Sequence, residues 1–216
     1  MFNNAIILSG GEGTRMKPLT NYIPKALVEV NGKPLINGII FLLEKYNINE
    51  IYLTYNYLSE ILFKNLKHKV KGFINTTNND NSYFLFNSFV KLINEPIIVI
   101  PCDLIVEINF DKLYQDYMEL GQPAIMLIPT NPKNGIDGDY IFFDGDNIIK
   151  SLDRKIISKV YCSGIQIINP YKVNLLCEKK NNFYDVWKQL IGTNNIKVSN
   201  VQPNKWDAFD KINQII

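Results

Sequence analysis

The sequence predicts an α/β fold built around a parallel sheet, and three observations carry that expectation. A short apolar run, Ala5-Ile6-Ile7-Leu8, opens almost at once into glycines at 10, 11 and 13. A second run, Ile97-Ile98-Val99-Ile100, has the length and β-branching of a strand buried on both faces. Between and after them, segments of helical and of strand-like spacing alternate, which is the order that strand, helix, strand units need.

Taken in order, residues 5–8 form the first strand. Residues 34–45 carry a helix that Asn47 and Asn49 close, and residues 50–54 return as a strand. Residues 57–66 supply the next helix and 72–75 a short strand. A polar break at 78–81 precedes helical spacing over 83–92, which leads into the central strand at 97–100. After Pro101 the pattern loosens. Residues 110–120 read as helix, 124–129 as strand, and 131–138, rich in Asn, Gly and Pro, as a loop. Residues 140–143 and 148–152 flank Asp144-Gly145-Asp146-Asn147 and make the clearest hairpin. A strand at 164–168, a helix around 184–191, a strand at 196–201 and a short terminal helix from Asp210 complete the order. With neither repeat nor linker, 216 residues at 46% hydrophobic content are expected to form one domain over 1–216.

Composition narrows the partners. The formal charge is only +2, from 23 basic and 21 acidic side chains without a basic cluster, so nucleic acid is not an expected partner. No apolar run approaches the ~20 residues that span a bilayer, and no leader pattern opens the chain, so neither membrane insertion nor secretion is expected. Cys102, Cys162 and Cys177 are widely spaced and His68 is the sole histidine, which fits reduced thiols in a cytoplasmic protein.

The chemistry begins in the loop after the first strand. Glycines at 10, 11 and 13 let the backbone turn tightly and bring several N–H groups onto phosphate oxygens. Arg15 offers a planar fork for those oxygens and Lys25 a compact charge. Leu8, Gly10, Gly11, Gly13, Thr14 and Arg15 are therefore the candidate nucleotide-binding residues. No Gly-Lys-Ser or Gly-Lys-Thr follows, so the loop is not that of the P-loop ATPases. Asp103 stands just beyond the strand at 97–100, where open α/β sheets bind ligands and where a hard cation would find an oxygen donor.

Gly10-Gly11-Glu12-Gly13-Thr14-Arg15, Pro18-Leu19-Thr20, Pro24-Lys25-Ala26-Leu27 and Gly32-Lys33-Pro34-Leu35-Ile36 resemble, in that order, the N-terminal signature of the sugar-phosphate nucleotidyltransferases. The resemblance implies a Rossmann-like mixed sheet flanked by helices, the GT-A-like arrangement. It also implies a magnesium-dependent attack of a phosphomonoester on the α-phosphorus of a nucleoside triphosphate, with release of pyrophosphate. By that likeness Arg15, Lys25 and Asp103 are catalytic: Arg15 contacts the triphosphate, Lys25 bridges the reacting phosphates and the acceptor, and Asp103 holds Mg2+. Cys102 stands where the family commonly has glycine. Trp206-Asp207-Ala208-Phe209-Asp210 resembles the late segment that completes the metal site; Asp207 is taken as the second ligand and Asp210 as cap of a helix over 211–216, with their roles exchangeable.

Where many members carry Glu and a Leu-Gly-Thr-Gly-Gly-like stretch, this chain has Asn78-Asn79-Asp80-Asn81-Ser82-Tyr83. That segment looks like the Asn- and Ser-containing stretch of the phosphocholine cytidylyltransferase branch, with Asn81 and Ser82 as readers of a pyrimidine edge. CTP is thus the favoured donor and a small phosphorylated headgroup such as phosphocholine the favoured acceptor, in cell-surface polysaccharide biosynthesis. Gly164 and Asp185 match acceptor-side positions of the family, and Asp137 and Asp139 are placed to meet a hydroxyl or a cationic headgroup. Two alternatives stand beside this reading: UTP- or GTP-dependent activation of a sugar 1-phosphate, and a non-catalytic nucleotide-binding module. Exposed apolar helix faces would serve a homodimer.

Overall fold

The computed structural model describes residues 1–133 and 138–215. The chain opens with β1 (Asn4–Leu8), a hairpin of the two-residue strands β2 (Glu29–Val30) and β3 (Lys33–Pro34), and α1 (Leu35–Lys45). Then come β4 (Glu50–Tyr55), α2 (Ser59–Leu66), β5 (Gly72–Asn75), α3 (Tyr83–Asn87) and β6 (Ile97–Pro101). The second half comprises β7 (Leu104–Glu107), α4 (Phe110–Glu119), β8 (Ile125–Thr130), β9 (Tyr140–Phe143), β10 (Ile149–Asp153) and β11 (Tyr161–Ile168). It ends with α5 (Pro170–Leu176), α6 (Phe183–Leu190), β12 (Ile196–Val198) and β13 (Lys205–Ala208).

Among the described residues, nine strands form one mixed sheet. β5, β4, β1 and β6 lie side by side and parallel. β11 then runs antiparallel to β6 and to β8, and β12 pairs β8 in parallel. The parallel half is what the alternating segments predict; the antiparallel strand makes the sheet mixed. Helices cover both faces, and the central strands divide their side chains between two cores. Ala5 and Ile7 of β1 and Ile98 and Ile100 of β6 join the cluster that holds Ile36, Ile39 and Leu43 of α1 and Leu113 of α4. Ile6, Ile97 and Val99 point the other way, into the cluster of Phe84, Val173, Phe183 and Val186. A strand whose every side chain is buried reads as an unbroken apolar run because the period-2 alternation serves two cores rather than core and water.

Several elements depart from the sequence expectations. The helix over 83–92 is interrupted at Ser88, whose backbone is extended and whose hydroxyl donates to the Phe84 carbonyl at 2.7 Å and accepts from Val90 N at 3.2 Å. The terminal helix from Asp210 is only a 3-10 turn at Ile212–Gln214. Other elements lie outside the sequence expectations. α5 starts at Asn169-Pro170, an Asn N-cap followed by Pro at the first helical position. β7 and β13 form a small antiparallel pair that brings the C-terminal segment back beside Asp103.

Candidate active site

In the sheet, β4 and β5 extend from one side of β1 and β6 lies on the other, so the loops leaving β1 and β6 diverge and open a crevice at their C-terminal ends. The β1 loop is pinned at its start by Ser9, whose N–H donates to Thr54 Oγ1 at 3.0 Å and whose hydroxyl donates to the Thr54 carbonyl at 2.6 Å. Gly13, at φ 61°, then turns the chain into a short 3-10 segment, Thr14–Met16. A Cβ there would stand 3.0 Å from Thr20 Cγ2 and 3.3 Å from Lys25 Cβ, so the position requires glycine for its backbone and its space. Thr20 donates its hydroxyl to the Gly13 carbonyl at 2.8 Å, and Met16 is fully buried beneath the loop. Thr14 and Arg15 are held over the crevice by this anchoring.

On the β6 side, Cys102 N donates to the Leu8 carbonyl at 3.1 Å and fixes the turn that presents Asp103. Cys102 itself is packing: burial, reinforced by the Asp103 charge, pushes its thiol up to about 12. The Lys25 ammonium bonds Asp103 Oδ2 and, at 2.7 Å, Asp210 Oδ1. Arg15 Nη2 reaches the same Asp210 oxygen at 3.0 Å. Burial works to lower the Lys25 pKa, but the attraction and hydrogen bonds of Asp103 and Asp210 together outweigh it, and the pKa lies above its ordinary value.

This cluster separates the two late aspartates. Asp210 joins Lys25 and Arg15, and its backbone is held by Gln214 Oε1, which accepts from the N–H groups of Asp210 and Lys211 at 2.7 Å each. Asp207, the expected second ligand, lies on β13 opposite Ile105 and pairs instead with Lys133 Nζ at 2.6 Å. Alternation along β13 is the reason: Trp206 is buried, with its indole N–H on the Ser163 carbonyl at 3.0 Å, and its neighbour faces away. Asp210 is also not a carboxylate cap, since that carboxylate is spent on the two cations.

Three cavities adjoin along the crevice. The first is walled by Leu8, Gly10, Gly11 and Glu12 with Thr54, Asn56, Thr76, Asn79, Asp80 and Asn81. The second contains Gly11, Gly13, Thr14, Arg15, Lys25, Asp103 and Asp210, and shares Leu8, Gly11, Asp80 and Asn81 with the first. The third, lined by Asp139, Arg154, Tyr161, Gly164, Trp187 and Trp206, shares Asp103 and Asp210 with the second. Gly164, at φ 83°, sits where β11 shifts register between Cys162 and Gln166, and a Cβ there would come within 2.9 Å of Pro101 Cγ.

Other expected residues fall outside these walls. Ser82 is buried, and its hydroxyl donates to the Lys180 carbonyl at 2.8 Å. Asp185 on α6 accepts from Asn182 Nδ2 at 2.8 Å and pairs with Lys188, which makes it part of the helix N-terminus. Asp137 lies outside the described residues, whereas Asp139 lines the third cavity and accepts from Arg154 Nε at 3.0 Å. Thr54, Thr76, Arg154 and Trp187 line these cavities without a motif in the sequence to mark them. The first two were within reach, because they sit at the C-terminal ends of parallel strands, where ligands gather.

Among the described residues no group of three or more His, Cys, Asp or Glu side chains converges, so the acidic donors at the centre are Asp103 and Asp210. Two carboxylates on one cation are what Mg2+ takes from a protein when phosphate oxygens and water complete its shell. No described helix is long and apolar enough to cross a membrane.

Residues 4–155 match the family model described as nucleotidyl transferase. The mannose-1-phosphate guanylyltransferase catalytic subunit beta of Drosophila melanogaster is 28% identical over 178 residues, covering 77% of this chain and 48% of that protein. The choline-phosphate cytidylyltransferase of Streptococcus pneumoniae is 44% identical over 88 residues, 41% of this chain and 37% of that protein. The chain thus spans about half the length of the mannose-1-phosphate guanylyltransferase relative. Its fold is shared by the CTP:phosphocholine cytidylyltransferase structure from Streptococcus pneumoniae, at a TM-score of 0.74 and 23% identity over 99% of this chain and 96% of that one.

Proposed function

Because the chain belongs to the nucleotidyl transferase family, we propose that it transfers a nucleoside monophosphate from CTP to a small phosphomonoester such as phosphocholine, with magnesium, and releases pyrophosphate. One observation carries the reading. Asp103 and Asp210 line both the central and the third cavity, so a triphosphate laid over the glycine loop and an acceptor phosphate entering from the aromatic side would meet at the same two carboxylates.

The acceptor phosphate is already an anion, so no protein nucleophile is needed and catalysis is mostly positioning and charge stabilisation. The Gly11 to Thr14 backbone lies against the triphosphate, and Arg15 takes the departing pyrophosphate end with its planar fork. Lys25 turns its ammonium from the carboxylates to the phosphates between which charge develops. Asp103 and Asp210 would hold Mg2+, whose chemistry there is to neutralise the α-phosphate and to align donor and acceptor oxygens. The third cavity sets a carboxylate, Asp139, beside Tyr161, Trp187 and Trp206, a combination suited to a quaternary ammonium headgroup.

A second reading, UTP- or GTP-dependent activation of a sugar 1-phosphate, is favoured by the Arg154–Asp139 pair: a carboxylate already neutralised next to tryptophans suits hydroxyls as well as a cation. The sugar-phosphate guanylyltransferase relative points the same way. Pyrophosphate release from CTP, UTP, GTP, ATP and dTTP, each against phosphocholine, other small phosphomonoesters and sugar 1-phosphates, separates the two. Turnover of CTP with a phosphorylated headgroup supports the first reading, and turnover of UTP or GTP with a sugar phosphate replaces it by the second.

A further inference from the structure

The first cavity contains two polar wall residues that can only accept, Glu12 and Asp80, and the Glu12 carboxylate is half exposed and paired with Lys17 at 3.9 Å. Most of the cavity's other polar atoms are committed elsewhere: Thr54 Oγ1 accepts from Ser9 N, Thr76 donates its hydroxyl to the Tyr55 carbonyl at 3.0 Å, and Asn79 donates its amide to the Thr77 carbonyl at 2.7 Å. The Asn81 side-chain carbonyl accepts from Phe183 N at 3.0 Å, which ties this rim to the start of α6. Asp80 Oδ1 accepts from Asn81 N at 2.7 Å, and the Asp80 carbonyl accepts from Tyr83 N at 3.2 Å, so the residue is anchored through both its backbone and one side-chain oxygen. Its second oxygen bonds to none of the described residues. A carboxylate accepts hydrogen bonds and offers none, whereas the amides of Asn56, Asn79 and Asn81 can each present either sign.

Cytosine and uracil have the same ring and the same O2. They differ where cytosine has an exocyclic amine and uracil a carbonyl, and at the adjoining ring nitrogen. Beside a fixed acceptor the amine gains a charge-assisted hydrogen bond, and the carbonyl meets a lone pair of its own kind. We propose that Asp80 is the specificity-determining residue of the nucleotide pocket, selecting cytosine over uracil through its carboxylate. The proposal rests on the CTP reading given above and adds the residue that enforces it. Asn81 and Ser82, the amide and hydroxyl expected from the sequence, do not supply that discrimination: the Ser82 hydroxyl is turned inward and the Asn81 carbonyl is bound to α6.

Asp80 also borders the central cavity, where a ribose would lie, and a contact to ribose hydroxyls would be blind to the base. The test therefore compares kcat/KM for CTP and UTP in the wild type, D80N and D80A, each checked for an unchanged melting temperature. Asparagine keeps the shape and can turn its amide to donate to the uracil carbonyl, so D80N should lower the CTP:UTP ratio by about tenfold or more, largely by raising UTP turnover. D80A should lose CTP efficiency without gaining UTP. A CTP-preferring wild type whose ratio survives both substitutions, whether activity is unchanged or falls equally for the two nucleotides, overturns the role of Asp80 and leaves the donor reading standing. A wild type that prefers UTP overturns both.

Discussion

Replacing Lys25 by methionine keeps the aliphatic stem and deletes the ammonium that Asp103 and Asp210 share. Asp210 retains Arg15 at 3.0 Å, so Asp103 is the carboxylate left facing a like charge with no cation of its own. The lysine side chain is 12% exposed and each aspartate 18%, dry enough for the loss to hurt but open enough for water to soften it. Breaking a fully buried pair costs roughly 3–5 kcal/mol, which puts the K25M loss at about 3 kcal/mol. At about 2–4 °C per kcal/mol for a chain of this size, the melting temperature should fall by roughly 6–12 °C. The vacated point is then a two-carboxylate seat for a divalent ion. Magnesium at a hundredfold excess over its dissociation constant would return about 2.7 kcal/mol to K25M. In the nucleotide-free wild type, Lys25 already fills that place and magnesium should do little. Calorimetry of both proteins with and without magnesium reads this directly. Equal melting temperatures, or the same magnesium shift in both, would refute the assignment of Lys25 as the shared cation of Asp103 and Asp210.

The same lysine fixes a pH dependence: its folded pKa lies above its ordinary value because the pull of Asp103 and Asp210 exceeds the lowering effect of burial. Its stabilisation is therefore complete below the unfolded value of about 10.4 and lost as pH rises through the higher folded value, so the gap between wild type and K25M should be flat up to about pH 9 and close in strong alkali. D103N and D210N should fold and lose turnover by about a hundredfold or more, whereas D207N, which breaks only the half-exposed pair with Lys133, should stay within about twofold; steady-state kinetics on the three variants decides between the two late aspartates. G164A forces a side chain into a φ of 83° and against Pro101, and should raise the KM for the acceptor more than that for the nucleotide while costing about 1–3 kcal/mol in urea unfolding.

The parallel half of the fold was legible because each of its strands feeds two cores and each loop carries its own turn chemistry. Ile97 to Ile100 could be little else, and the glycine loop declared its place at the mouth of the crevice. What stayed hidden was set by pairing across long stretches of chain. Nothing local says that Lys205 to Ala208 will run antiparallel to Leu104 to Glu107, yet that pairing turns Asp207 toward Lys133 and delivers Asp210 to Lys25. Ser82 misled for a similar reason, since its hydroxyl is claimed by the Lys180 carbonyl, 98 positions away. Asp185 looked like a ligand but completes the N-terminal turn of its own helix, a role that Asn182 three residues earlier already signalled.

Of the described residues around the central cavity, two are cations and three are carboxylates. A bare triphosphate arriving there meets a field of its own sign, and the encounter turns favourable only for a nucleotide that travels with its counter-cation. The cavity's own side chains therefore give a metal-free nucleotide none of the pull that a cleft lined with basic side chains supplies. Added salt, by screening that repulsion over a Debye length of about 10 Å or less, should quicken the association of metal-free nucleotide rather than slow it.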